Sequence, residues 1–125
     1  IQGGDPESKY AASDKRIGGG SAPGDRIPAE FRTAQNIFHK RGALAAARTD
    51  NPEKASSNCQ FYIVQRPVWR KSELDSTIRS RNLTLNDDQK NLYTTEGGTP
   101  QLDGGYTVFG ELVTGFHVLD SIATT

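Results

Sequence analysis

At 125 residues, with 15 basic and 15 acidic side chains, the chain is at most one domain and carries no net charge. That balance gives it no long-range attraction to nucleic acid or to an anionic membrane, and its longest apolar runs are far too short to span a bilayer. A single cysteine, Cys59, rules out an internal disulfide and assigns no compartment.

The chain starts on a strand-like Ile1-Gln2 that runs into two glycines and an Asp5-Pro6 turn. Residues 3–28 are rich in Gly, Pro, Ser and Asp and read as one long loop, with a second turn at Pro23-Gly24-Asp25. A loop of that length in a compact domain is uncommon and tends to be functional. "GALAAAR" (Gly42 to Arg48) fits a small-residue strand or a helical turn, and alanine propensity alone favours helix. "CQFYIVQ" (Cys59 to Gln65) is aromatic and β-branched, which predicts a strand with Phe61 in the core.

Between Gln65 and Gln101 the texture changes. "SELDSTIRSRNL" predicts a short helix capped by Ser72, with Leu74 and Ile78 four apart. "NDDQKNLYTTEGG" predicts a second, with Asn86 as N-cap, Gln89 three residues on, acidic residues in the first turn and Gly97 as the stop. Both carry little apolar surface, so they should lie outside as a helical insertion over 66–100. An Asp-Gly turn in "LDGGYTVFGELVTG" then leads into another strand, with Phe109 expected in the core. "FHVLDSIATT" repeats apolar residues at helical spacing.

Familiar chemical motifs are mostly absent. "RIGGGSAPGD" has neither the Gly-Lys-Ser/Thr ending of a phosphate loop nor a Gly-x-Gly-x-x-Gly spacing. His39 and His117 read as surface or capping residues, away from metal-ligand spacing. Cys59 reads as a small packed hydrophobe. No Gly-x-Ser-x-Gly elbow presents a nucleophile. The basic stretch around Trp69 reads as a solvated mixed-charge helix. No metal or cofactor is expected.

Four pieces taken in order, "IQGGDP" with "IPAEF", "KRGALAAAR", "SSNCQFYIV" and "LDGGYTVFGELVTGFHVLDSI", resemble the cyclophilin-type peptidyl-prolyl isomerases, bacterial members above all. The resemblance implies a mainly β fold, a cyclophilin-like antiparallel barrel, incomplete over residues 1–125, with short helices and the 66–100 insertion. It turns "GALAAAR" into a strand. It also implies that the family's earlier strands, one of which carries the catalytic arginine, and its final strand lie outside these residues. The expectation is therefore a fragment of a longer chain, inactive or poorly active alone, with no catalytic residue assigned.

The substrate-binding positions implied by the resemblance are Gln2, Ala47, Arg48, Thr49, Gln60, Tyr62, Leu102 and Tyr106. Gln2 would anchor a peptide carbonyl, and Tyr62 and Leu102 would wall a proline pocket. Gln60 would line the groove, and Ala47, Arg48 and Thr49 match the family's Ala-Asn-Ala segment. Arg48 reads equally as a solvent-facing charge. Tyr62 departs from the usual Phe. Tyr106 stands where eukaryotic relatives commonly carry His. Gln101 stands where many members carry the aromatic residue that cyclosporin binding uses, so weak cyclosporin binding is expected; by family analogy a bacterial periplasm and a cytoplasm both stay open. The implied partners are proline-containing peptides or unfolded proteins. The alternative is a non-catalytic proline-peptide module or chaperone, with the insertion and Trp69 as its partner surface.

Overall fold

The structure, a computed structural model, describes residues 1–125. Its centre is an open, antiparallel four-stranded sheet: β1 (Gln2–Gly3), β2 (Ala43–Ala46), β3 (Phe61–Ile63) and β4 (Val108–Glu111), in the order β1-β3-β2-β4. Three helices complete it: α1 (Lys71–Ser80), α2 (Asp87–Thr95) and α3 (Phe116–Ala123). Helices of ten, nine and eight residues outweigh strands of two to four, so the mainly β expectation is not met. The physical reason is that Gly- and Pro-rich segments take much of the chain into turns, leaving only short runs free to pair.

β2 is a strand although it is made of good helix formers. It lies between β3 and β4, where Ala43 and Ala45 are buried to 1% and 0% exposure. Pairing on both sides outweighs a propensity worth only tenths of a kcal/mol per residue, roughly. The ladder to β4 slips by one residue between Leu44 and Ala45, a β-bulge that bends the sheet there. Phe61 and Phe109, expected in the core, are 37% and 60% exposed. Phe61 sits one residue from Tyr62 and so projects from the opposite face of the sheet.

The helices are not merely external. Leu74 of α1 and Tyr93 of α2 close on Phe38 in a buried cluster, flanked by Trp69, Ile78, Leu85 and Leu92. Only their charged faces meet water. Trp69, read as a partner anchor, turns inward: its indole N–H donates to the Gly98 carbonyl at 2.8 Å, and Arg66 stacks over its ring. α1 starts after Arg70, not after Ser72, because the Glu73 carboxylate reaches back to the Arg70 amide. α2 begins as predicted. Asn86 accepts from the Gln89 amide at 2.8 Å, and Gln89 accepts from the Asn86 amide at 3.0 Å.

Residues leaving α2 run beside the start of β2. The Thr99 amide donates to the His39 carbonyl and the Arg41 amide to the Gly97 carbonyl. Gly98 permits this approach: its φ is +130°, and a Cβ there would overlap the His39 and Lys40 backbone. α3 packs at the same place, with Leu119 buried, Arg41 over the Phe116 ring, and an Arg41–Asp120 ion pair at 2.6 Å. No helix is long and apolar enough to cross a membrane.

Candidate peptide groove

β3 runs between β1 and β2, and its Tyr62 pairs with Gln2 on one side and Ala45 on the other. Directly paired residues of an antiparallel sheet share a face, and that face recurs at every second residue. Gln60 and Ala47 join it, their backbones linked by the Ala47 amide donating to the Gln60 carbonyl at 3.0 Å. Gln2, Ala47, Arg48, Thr49 and Gln60 then line one cleft of about 250 Å³, with Gly18 to Gly20 as another wall.

Side-chain amides order this cleft. Gln2 donates to the Gln60 side-chain oxygen at 2.9 Å, and Gln60 donates to the Gly20 carbonyl at 2.6 Å. The Gln2 amide oxygen and its second N–H remain free of protein partners. The glycine loop is itself held by Asp5, whose carboxylate accepts from the amides of Glu7, Gly18 and Gly20. Those bonds, Gly18 first, pull the Asp5 carboxyl below its ordinary value.

Tyr62 and Tyr106 form a second part of the site, edge to face at 5.9 Å between ring centroids. Arg48 joins the two parts. It lines the cleft, its guanidinium lies 4.4 Å from the Tyr106 centroid, and it donates to the carbonyls of Gly105 and Thr49. Its side chain is 9% exposed, so it is packed in the wall rather than turned to solvent. Leu102 stands apart from the cleft lining. It ends the turn Pro100–Leu102, and its carbonyl accepts from the Tyr106 amide at 3.2 Å.

Sequence reasoning missed His39. It is 1% exposed, not a surface residue, and its Nε2 lies 2.8 Å from the Tyr62 hydroxyl. Its Nδ1 lies 2.9 Å from Asp103 Oδ1, which also accepts from the His39 amide at 2.8 Å. Asp103 Oδ2 accepts from Gln89 at 3.0 Å and from the Tyr93 hydroxyl. Burial first, then Tyr106 and Asp103, holds the Tyr62 phenol above the ordinary tyrosine value, with Arg48 opposing. Burial and then Asp103 push Tyr93 the same way. His39 and Asp103 are 64 residues apart, and no local spacing announces the pair. The only hint lies in position: one precedes "KRGALAAAR" and the other sits in "LDGG".

The antiparallel sheet thus carries, on an inner strand, a glutamine-lined cleft bordered by a glycine loop, with the Tyr62–Tyr106 pair joined to it through Arg48. The chain belongs to the cyclophilin-type peptidyl-prolyl cis-trans isomerases: the family model "Cyclophilin type peptidyl-prolyl cis-trans isomerase/CLD" matches residues 1–125. Among its relatives is a Streptococcus pyogenes protein named "Putative bifunctional phosphatase/peptidyl-prolyl cis-trans isomerase", 36% identical over 98% of this chain and 23% of that protein. Two more, from Staphylococcus aureus and Staphylococcus saprophyticus, are named "Putative peptidyl-prolyl cis-trans isomerase". They are 34% and 33% identical over all of this chain. The chain spans 56% of the length of each staphylococcal relative.

Proposed function

We propose that these residues carry the substrate groove of a peptidyl-prolyl cis-trans isomerase acting on proline-containing peptides or unfolded proteins. The observation that carries the reading is the convergence of Gln2, Gln60 and residues 47–49 on one cleft beside the Tyr62–Tyr106 wall. The reaction asks for no nucleophile. Amide resonance sets a barrier of about 18–20 kcal/mol to rotation about the X–Pro bond. A catalyst lowers it by binding the twisted amide better than the planar one.

The residues fit that task. Gln2 is oriented through Gln60 and offers its free amide atoms to a peptide backbone. Residues 47–49 run on from β2 along the cleft, where a peptide would lie beside them. Tyr62 and Tyr106 would wall the proline ring, and Leu102 joins them on the family resemblance alone. No arginine of this chain is given the family's catalytic role, because none stands in a matching motif; Arg48 is moreover committed to Gly105, Thr49 and the Tyr106 face. A cyclophilin-like barrel is the architecture this sheet would belong to. With Gln101 where relatives carry an aromatic residue, cyclosporin should bind weakly.

The test is exchange NMR on a short Ala-Pro peptide. Addition of the protein should shift and broaden the peptide resonances, and in the catalytically complete protein cis and trans peaks should exchange faster. Gln2→Ala should weaken peptide binding about fivefold, the worth of one hydrogen bond of roughly 1 kcal/mol. Binding with no acceleration in any longer form would make this a proline-peptide module. No binding at all would remove the groove assignment.

A further inference from the structure

We propose that His39 and Asp103 are positioning residues for the Tyr62 wall, through which helix α2 fixes the groove. The proposal rests on reading the Tyr62–Tyr106 face as part of that groove. Chemistry fixes most hydrogen-bond directions in the chain, and a singly protonated imidazole fixes the last. An ionised carboxylate only accepts, and Asp103 faces four donors: the His39 amide, His39 Nδ1, Gln89 Nε2 and the Tyr93 hydroxyl. Nδ1 therefore carries the imidazole proton. With the ring singly protonated, Nε2 is a bare acceptor inside the protein, and the Tyr62 hydroxyl at 2.8 Å is its donor. The hydroxyl proton is committed to His39 and does not turn toward a ligand.

This arrangement explains why Tyr rather than Phe stands at position 62. A phenyl ring would leave a buried Nε2 with no donor, at a cost comparable to a lost hydrogen bond. It also gives helix α2 a role at the groove. Gln89 and Tyr93 lie one turn apart on α2, both buried, and both end on Asp103. Four donors make a buried carboxylate tolerable in this setting. Moving α2 would move the carboxylate, then the imidazole, then the tyrosine ring that packs on Tyr106. Tyr106 in turn carries Arg48 at the cleft.

Two measurements test it. ¹⁵N NMR of the imidazole at pH 7 should show Nδ1 protonated and Nε2 unprotonated but hydrogen-bonded, and Tyr62→Phe should move the Nε2 resonance. Titration with an Ala-Pro peptide gives the second readout. Tyr62→Phe and His39→Asn, which keeps a donor for Asp103 but cannot reach Tyr62, should each weaken binding about three- to tenfold. The double variant should bind no more weakly than either single one, a coupling that a purely structural role for His39 would not produce. Additive losses, or an Nε2-protonated ring, would overturn the relay. Should His39→Asn fail to fold, the imidazole spectra of the wild type and Tyr62→Phe still decide. If the wild type binds no peptide, the groove reading fails, and the same spectra decide the relay on their own.

Discussion

Gly98 shows how one position sets the geometry of the site. The backbone of residues 97–99 runs against 39–41, and this contact places Asp103 within reach of His39. A methyl group at Gly98 would meet the His39 carbonyl and the Lys40 backbone, neither of which is a flexible side-chain end that could move aside. At Gly104, by contrast, φ is +73° but nothing lies within 4 Å of the place a Cβ would take, so only the left-handed backbone opposes a side chain. Gly98→Ala should therefore cost about 2–4 kcal/mol and Gly104→Ala about 1 kcal/mol, read from urea unfolding midpoints. Equal losses at the two sites would show that the close approach at Gly98 is not what holds the two segments together.

The start of α2 is legible because a capping box is written within four residues: Asn86 and Gln89 exchange side-chain bonds with each other's amides. The start of α1 is not. Ser72 has the right chemistry for a cap, but Glu73 bonds the Arg70 amide and moves the start two residues earlier. Asn86→Ala should cost about 1 kcal/mol in thermal or urea unfolding, whereas Ser72→Ala should stay within about 0.5 kcal/mol. Propensity misreads β2 and only the resemblance corrects it, since burial of alanines between two strands leaves no mark in the alanines themselves. The groove residues near Gln2, 47–49 and 60–62 are legible as motifs. The His39–Asp103–Tyr93 network is not, because it joins segments brought together only by the packing of α2 on Phe38.

Across the whole molecule, three carboxylates fasten the margins of the sheet, and all three have their pKa lowered. Asp5 holds the glycine loop to β1 through backbone amides, Gly18 first. Glu111 ties β4 to Lys40, and Asp120 ties α3 to Arg41. A carboxyl whose folded pKa is depressed contributes stability that is complete above its unfolded pKa and is lost as pH falls through the folded one. The ordinary values are 3.8 for the two aspartates and 4.5 for the glutamate, so stability should decline as pH drops below about 4.5 and keep falling beneath 3.8. The three fastenings differ in their response to salt. Lys40–Glu111 and Arg41–Asp120 are partly exposed ion pairs that added salt screens, whereas Asp5 is held by hydrogen bonds from the backbone at short range. In about 1 M NaCl, where the screening length falls to roughly 3 Å, the acid sensitivity that remains should belong mainly to Asp5. Asp5→Asn should then flatten the fall in urea midpoint between pH 4.5 and pH 3 at high salt. It should also lower stability at pH 7, because the new amide group would face the Gly18 and Gly20 donors with a donor of its own. An unchanged slope would mean that the glycine loop is held by its bonds to Gln60 and Asn58 instead.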